Sequence, residues 1–376
     1  MQVISIVMPC YNRGHDLVRV LQAYDRQDVG AMFEVIAVDD ASIDATYETL
    51  TSYHPVRFVL RAERQQKNQG PAAARNRGIA LASAPLVLFV GDDILPKPDF
   101  VRRHLEAHHQ RPEQVVAILG RLTWAHDIPQ NTLMTHIDGV GAQQFSYYYL
   151  QDGREYDYRH LYTSNISLKR DFLWSLTHWF DTDFAYAALE DAELAFRLAK
   201  RGLRIIYSAA PLAEHYHYHT IWSFSARQYY AGLMSWVLIR KHPGVMRQLR
   251  LQYRRILRFL WKPRGLIHPE IGEWLEAQML HLTSFYEWTP HLLLDAWYRH
   301  VLDYFYYKGV IEGMLGKTQW STCAHRVHVG SSLLPLLGWF LEKAADNKIP
   351  LPAGLDASLP GRLARWSQLM KSGKVA

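Results

Sequence analysis

Cysteine is scarce in this sequence, and its scarcity excludes one class of protein. Only Cys10 and Cys323 occur among 376 residues, too few for the disulfide frameworks that hold small secreted domains together. Because free thiols persist in reducing surroundings, we expect the chain to work in the cytoplasm. The first residues also lack the basic segment and small-residue cleavage pattern of a targeting signal, so we expect a buried strand there.

Long apolar runs are absent as well. The best candidate, residues 329–341, is shorter than the roughly 20 apolar residues that a transmembrane helix needs. We therefore expect a soluble or peripheral protein.

Two nucleotide-binding motifs are also missing. No G-x-x-x-x-G-K-[ST] loop occurs, which excludes a P-loop enzyme, and no G-x-G-x-x-G follows the first apolar segment, which disfavours an NAD-type fold.

What the sequence does contain is a globular composition, with 49% hydrophobic and 21% charged residues. Residues 3–8, 33–38 and 86–90 are short apolar segments that end at turn-forming residues, a pattern typical of strands buried on both faces. Residues 16–26 and 72–82, which lie between them, have helical spacing. This alternation predicts an α/β fold with an open parallel sheet.

Acidic residues cluster where these predicted strands end. Asp39 and Asp40 follow the second segment, and Asp92 and Asp93 follow the third. Each pair alone is more often a turn than a site, but the carboxyl ends of parallel strands share one edge of the sheet, where ligands bind. Crowded carboxylates raise one another's pKa or require a cation, and Mg²⁺ or Mn²⁺ is usually held by one or two carboxylates together with substrate phosphates. The pattern predicts a metal site for a phosphate-containing substrate.

Six segments, in order, resemble the motifs of the family 2 glycosyltransferases, which have the GT-A fold. They are S-I-V-M-P-C-Y-N-R at 5–13, V-D-D-A-S at 38–42, N-Q-G-P-A-A-A-R-N-R-G at 68–78, F-V-G-D-D at 89–93, L-E-D-A-E-L-A-F-R-L at 189–198 and E-H-Y-H at 214–217. The resemblance covers about residues 1–235, for which it implies a Rossmann-like, mostly parallel sheet flanked by helices. We expect residues 236–376 to form a mainly α-helical region for acceptor, membrane-surface or dimer contacts.

The resemblance implies an enzyme that moves a sugar from a nucleoside diphosphate donor, most often UDP-linked, to an acceptor hydroxyl with inversion. It implies a nucleotide-sugar pocket formed by Pro9, Tyr11, Arg13, Asp40, Arg75, Asn76 and Asp92. Asp93 corresponds to the metal-binding acid of the family's D-x-D motif, with Mn²⁺ or Mg²⁺ as the cofactor. Gly91 replaces the first acid of that motif, so we expect a histidine, water or the donor phosphates to complete the metal shell.

Asp191 corresponds to the family's general base, with Glu190 beside it. From the residues alone, Asp191 opens an amphipathic helix that ends near Gly202. A helix N-terminus favours the ionised carboxylate that a base requires. The alternative is that the acidic residues of this first turn only complement the helix dipole. The other motifs, found in the right order, favour the catalytic role.

Three histidines alternate near the end of the resemblance. His215, His217 and His219 share one face if the segment is extended. The family often uses a histidine here as a metal or diphosphate contact, which implies a role for His217 and His215, while a structural position is also open to His219.

Ser164 and Asn165 lie in a segment that resembles the one before the family's acceptor region. We expect these two residues to face the donor sugar or the acceptor.

The C-terminal third contains a strongly basic stretch. Residues 240–264 include nine Lys or Arg residues and no acid. A basic amphipathic helix is typical of a surface for anionic lipid, and lipid-linked acceptors would place the enzyme at the inner face of a membrane. The alternative is a helix packed on the catalytic domain with its arginines in water. No DNA or RNA module is recognisable, so we expect no nucleic acid partner; an oligomer stays open.

Together these patterns predict an inverting, metal-dependent glycosyltransferase that uses a carbohydrate or lipid-linked acceptor in bacterial polysaccharide, glycan or glycolipid synthesis. Two alternatives are kept. One is a nucleotidyltransferase on a similar sheet, which would release pyrophosphate. The other is a non-catalytic sugar- or lipid-binding scaffold, which Gly91 mildly favours and which Asp93 and Asp191 oppose.

Overall fold

The computed structural model describes residues 2–141, 143–145, 147–243, 269–288 and 293–320. Within these ranges a central sheet is flanked by helices and followed by a helical region. The strands are β1 (Ser5–Cys10), β2 (Glu34–Asp39), β3 (Val59–Arg64), β4 (Leu86–Val90), β5 (Ile94–Pro96), β6 (Val116–Trp124), β7 (Glu155–Tyr156), β8 (Asn165–Lys169) and β9 (Arg204–His215). The α-helices are α1 (Leu17–Asp25), α2 (Thr46–Ser52), α3 (Gly70–Leu81), α4 (Phe100–Gln110), α5 (Thr132–Asp138), α6 (Arg170–Trp174), α7 (Glu190–Ala199), α8 (Ile221–Lys241), α9 (Pro269–Ser284) and α10 (Leu294–Met314).

The sheet is parallel on one side and mixed on the other. Its strand order is β3-β2-β1-β4-β8-β6-β9-β5, with β7 paired to β9. The first four strands run parallel to one another, whereas β8 runs antiparallel to both of its neighbours. The predicted α/β fold class is confirmed, but the parallel run of strands ends at β4, and parallel pairing returns only between β6 and β9. The chain reaches β8 only after three further strands and two helices, and so long a connection lets a strand enter the sheet in either direction.

The apolar segments predicted as strands form the centre of the sheet. β1, β2 and β4 are buried along their whole length, as expected for strands covered on both faces. The register pairs Cys10 at the end of β1 with Asp39 at the end of β2. The polar residues that follow these two strands therefore begin at the same edge of the sheet.

Helices α8 and α10 cross in close contact. A Cβ atom at Gly232 would clash with the backbone carbonyl of Tyr306, and one at Gly309 would clash with that of Tyr229. Only glycine permits this approach. Helix α8 runs without a break through residue 235, so the predicted division of the chain falls inside a helix and stays a prediction.

The helical character expected after residue 236 is confirmed in the described part of that region, which holds the end of α8 together with α9 and α10. Of the basic stretch at residues 240–264, residues 244–264 lie outside the described residues. In the part of the chain that the structure describes, no helix is both long enough and apolar enough to cross a membrane.

Candidate active site

The carboxyl ends of β1, β4 and β9 meet at one edge of the sheet. The backbone N–H of Tyr11, directly after β1, donates to Asp92 Oδ2 over 3.0 Å. The backbone N–H of Tyr216, directly after β9, donates to the carbonyl of Asp93 over 2.8 Å. Three segments that are far apart in the sequence are thereby tied together where a parallel sheet binds its ligands.

Asp93 lies between two histidines. Its Oδ2 is 3.2 Å from His215 Nε2 and 3.2 Å from His217 Nδ1, and one potential ligand atom from each of the three residues lies within 4.8 Å of the others. The ring of His215 stacks on Trp124 with centroids 5.3 Å apart, and this packing restricts the orientation of the imidazole. The three side chains offer one oxygen and two nitrogens to a common point.

Gly91 gives the Asp93 carboxylate the room that it needs. A Cβ atom at residue 91 would lie 2.7 Å from Asp93 Oδ1, so a larger residue would displace the carboxylate. Glycine, in place of the first acid of the D-x-D pattern, therefore leaves the Asp93 carboxylate where the two histidines meet it. The two histidines offer the ligand atoms that a second carboxylate would have supplied.

The guanidinium of Arg13 fills the space between these ligand atoms. Its Nη2 lies 2.9 Å from Asp93 Oδ2 and 2.7 Å from His217 Nδ1. Burial and the neighbouring charge of Asp93 raise the pKa of Asp92 to about 7. Burial acts on Asp93 in the same direction, but the hydrogen bond and charge of His215, together with the charge of Arg13, act against it, and the pKa of Asp93 lies well below its ordinary value. The negative charge of the acidic pair is therefore fixed on Asp93.

The residues present fit a divalent metal ion. A set of one carboxylate and two imidazoles suits Mn²⁺ or another transition metal better than Mg²⁺, which prefers oxygen ligands. His219 packs against His217 with ring centroids 4.3 Å apart and is buried. Neither ring nitrogen of His219 has a hydrogen-bond partner among the described residues. Because buried polar atoms are normally satisfied, these nitrogens indicate a site that a bound group completes.

Asp191 and Glu190 occupy the first turn of α7. Leu189, directly before them, has a left-handed backbone with φ 65°, a strained conformation that clusters at functional sites. Glu190 is buried and forms a 2.7 Å ion pair with Arg75. Burial and the charge of Glu190 raise the pKa of Asp191 to about 7, against the opposing effects of Arg75 and Arg227. Asp191 can therefore exchange a proton near neutral pH, as a general base must.

Arg227 of α8 is a candidate functional residue that sequence reasoning missed. Burial lowers its pKa, while the charges of Asp191 and Glu190 raise it. Burial also lowers the pKa of His219, and the charge of Arg227 adds to that shift. Arg227 thus links the Asp191 turn to the histidine cluster. A single arginine on a helix rich in aromatic residues is too common a pattern to have identified it.

Two residues predicted for the nucleotide pocket are engaged by the chain itself. Asp40 accepts hydrogen bonds from Gln65 Nε2 over 2.6 Å and from the backbone N–H of Gly70 over 2.7 Å. These bonds anchor the start of α3. Asn76 bonds both the backbone N–H and the carbonyl of Phe180, each over 2.8 Å. Both side chains position segments around the site, and their contact with a nucleotide stays a prediction.

Ser164 and Asn165 are neighbours at the start of β8, so their side chains face in opposite directions. Asn165 is fully buried, and its amide donates to the carbonyls of Arg121 and Pro211 over 3.0 and 2.9 Å. The structure turns Asn165 into the core, which corrects its predicted place beside a sugar. Ser164 Oγ is buried and has no partner within the described ranges, so its role stays a prediction. Pro9 is buried within β1.

Residues 5–177 match the model of glycosyl transferase family 2. The validoxylamine A glucosyltransferase of Streptomyces hygroscopicus subsp. jinggangensis is 28% identical over 277 residues, which cover 66% of this chain and 63% of that protein. The amylovoran biosynthesis glycosyltransferase AmsB of Erwinia amylovora is 26% identical over 249 residues, which cover 59% of this chain and 71% of that protein.

The chain spans about three fifths of the length of the first curated relatives that it matches, 63% of one and 58% of another. Among solved structures, S. aureus TarS 1-349 in complex with UDP aligns with a TM-score of 0.48 and 16% identity. That alignment covers 88% of this chain and 95% of TarS 1-349.

Proposed function

Residues 5–177 of this chain belong to glycosyl transferase family 2, and from this premise we propose that the chain transfers a sugar from a nucleoside diphosphate donor to an acceptor hydroxyl. The observation that carries the proposal is the Asp93–His215–His217 donor set together with a half-buried Asp191 whose pKa is about 7. The donor set can hold the cation that a leaving diphosphate needs, and Asp191 can take the proton of the acceptor.

In the proposed reaction, the acceptor oxygen attacks the anomeric carbon from the face opposite the leaving diphosphate, which inverts that carbon. The acceptor hydroxyl gives its proton to Asp191 as the new C–O bond forms. The bond from the anomeric carbon to the phosphate oxygen breaks, and its electron pair stays on the nucleoside diphosphate. Arg75 holds Glu190 in place, and this pair supports the turn that presents Asp191. The contribution of these residues is orientation and electrostatics.

A divalent ion held by Asp93, His215 and His217 would offset the negative charge of the departing diphosphate. The imidazole nitrogens favour Mn²⁺ over Mg²⁺ as that cofactor. We place the nucleotide beside Tyr11, whose side chain is 47% exposed at the end of β1 and whose backbone is bonded to Asp92. An exposed aromatic ring there can stack on the base.

The classes of donor and acceptor are proposed with the help of two relatives. One is named as a glucosyltransferase and another as a glycosyltransferase of amylovoran biosynthesis. We therefore propose transfer of a hexose or related sugar from a UDP-sugar to a carbohydrate or lipid-linked acceptor, in polysaccharide, glycan or glycolipid synthesis. Action in the cytoplasm at the inner face of a membrane belongs to the same proposal. Co-sedimentation with anionic vesicles tests that part, and no binding at low salt would end it.

A product assay tests the proposed reaction. The chain is incubated with a panel of nucleoside diphosphate sugars, Mn²⁺ and candidate acceptors, and the released nucleotide is identified. Release of nucleoside diphosphate together with a glycosylated acceptor supports the proposal. Release of pyrophosphate would instead indicate a nucleotidyltransferase. Tight binding of a sugar nucleotide with no turnover on any acceptor would indicate the non-catalytic scaffold.

The role of Asp191 is tested with a matched pair of variants. Asp191→Asn should abolish transfer while retaining the thermal shift that a donor produces, because the amide cannot accept the proton. Asp171→Asn removes a highly exposed acid of α6 and should leave transfer unchanged. Full activity of Asp191→Asn would contradict the assignment of the base.

A further inference from the structure

The guanidinium of Arg13 occupies the position that a metal ion would take. Its Nη2 is 2.9 Å from Asp93 Oδ2 and 2.7 Å from His217 Nδ1, and both residues belong to the potential donor set. Metal bonds to such oxygen and nitrogen atoms are about 2.0–2.2 Å long. An ion bonded to both atoms would lie in the same small space as Nη2, so the two cations exclude each other.

Arg13 also uses the electron pairs that a metal would use. A guanidinium only donates hydrogen bonds, so His217 Nδ1 accepts from Arg13 and carries no proton in this arrangement. Asp93 Oδ2 accepts from the same nitrogen. The site therefore offers a cation the negative charge of Asp93 and the free electron pair of His217 Nδ1. Arg13 is the cation that the chain itself supplies.

The side chain of Arg13 can leave this position while its backbone stays fixed. The backbone N–H of Arg13 donates to Thr46 Oγ1 over 2.7 Å, and that of Asn12 donates to Ser42 Oγ over 2.9 Å. These bonds tie the turn after β1 to the segment after β2. The further ionic contacts of the guanidinium, to Asp92 among them, are 3.6 Å or longer and restrain it weakly.

We infer that Arg13 sets which ligand this site binds. Because of Arg13, the site binds a metal ion in complex with a nucleoside diphosphate and not the free ion. A free ion must displace the guanidinium, which loses its 2.9 Å contact with Asp93 and gains no new anion in return. A diphosphate brings oxygen acceptors that pair with the released guanidinium, while its metal ion takes Asp93 and His217. The inference rests on the proposed function, which supplies the diphosphate.

Binding of Mn²⁺, measured by electron paramagnetic resonance without turnover, tests this inference. Without nucleotide, R13Q should bind free Mn²⁺ at least about tenfold more tightly than the wild type, because the competing cation is gone. With UDP present, the wild type should gain affinity for Mn²⁺ and R13Q should gain much less, since it lacks the group that pairs with the diphosphate. R77Q removes an exposed arginine of α3 that pairs with Glu63 and should behave as the wild type does.

Equal or weaker binding of free Mn²⁺ by R13Q would overturn the inference. If the glutamine disturbs folding, R13A provides the same measurement. The result is separable from the proposed function. A wild type that transfers sugar, combined with unchanged Mn²⁺ affinity in R13Q, would remove the inference alone. A tighter R13Q combined with no transfer from any donor would support the exchange of cations and count against the proposed function.

Discussion

A chain of buried hydrogen bonds between α4 and β8 should make this fold sensitive to mild acid. His104 and His108 lie one turn apart on α4, and Asn165, Ser167 and Lys169 alternate along β8 and face them. Lys169 Nζ donates to His108 Nδ1 over 2.9 Å. His108 Nε2 and His104 Nδ1 each lie 2.8 Å from Ser167 Oγ, and His104 Nε2 lies 2.9 Å from Asn165 Oδ1.

The direction of this chain requires both histidines to be neutral. A lysine ammonium only donates, so His108 Nδ1 accepts and its Nε2 carries the proton that Ser167 accepts. Ser167 then donates to His104 Nδ1, and His104 Nε2 donates to Asn165 Oδ1. If either histidine gained a proton, its new N–H group would point at a neighbouring N–H or O–H donor, and the hydrogen bond between them would be lost. Burial lowers the pKa of His104 to about 4, and burial together with the charge of Lys169 lowers the pKa of His108 to about 3.

These two pKa values determine how stability depends on pH. An unfolded histidine has a pKa of about 6.5, so both states are neutral above that pH and neither histidine contributes to a pH dependence. Below about pH 6.5 the histidines of the unfolded chain bind protons, whereas those of the folded chain stay neutral. The free energy of unfolding therefore falls as the pH falls. One pKa unit is worth about 1.4 kcal/mol, so each histidine lowers the free energy of unfolding by roughly 3 kcal/mol at pH 4. The pair, at roughly 6 kcal/mol, rivals the whole stability of many domains.

Urea unfolding, followed by circular dichroism between pH 7 and pH 4.5, measures this effect. His108→Gln removes one titrating group, so its stability should fall with pH less steeply than that of the wild type, by about 1.4 kcal/mol per pH unit below pH 6. The slope isolates titration from any constant loss of packing. His109→Gln changes the exposed neighbour on the same helix and should keep the wild-type slope. Parallel slopes for His108→Gln and the wild type would refute the reasoning.

Three other perturbations probe the site and the fold. Arg227→Gln removes a charge that lowers the pKa of Asp191, so the acidic limb of the pH profile of kcat/KM should move to higher pH. An unmoved limb would mean that the charge of Arg227 does not act on Asp191. Gly91→Ala places a Cβ atom 2.7 Å from Asp93 Oδ1, so Mn²⁺ affinity in the presence of UDP should fall by about tenfold or more; unchanged binding would contradict the steric account. Gly232→Ala sets a Cβ atom against the backbone where α8 crosses α10 and should lower the free energy of unfolding by about 1–3 kcal/mol; an unshifted urea midpoint would mean that the helices can separate.

The sequence predicted the parallel half of the sheet because its strands are continuous apolar runs that end at paired acids. It did not predict β8, because Asn165, Ser167 and Lys169 interrupt the apolar residues of that strand. The structure instead buries that polar face against His104 and His108. Alternation identifies residues that share a face, but it does not say which face is covered. Asn165 was expected beside a sugar because its segment resembles the one before the family's acceptor region, and that resemblance does not show which way the side chain faces.

Gly91, Arg13 and the histidines act together on the charge of the site. Burial already raises the pKa of Asp92 to about 7, and a further carboxylate at residue 91 would add repulsion where solvent cannot screen it. Imidazoles offer ligand atoms without adding a negative charge, and the guanidinium balances Asp93 in the free chain. If a metal diphosphate replaces it there, as proposed, the ion and the released Arg13 would both face the anion. We therefore expect two positive groups beside the oxygen atoms on which the leaving group acquires its negative charge, where electrostatic stabilisation accelerates transfer.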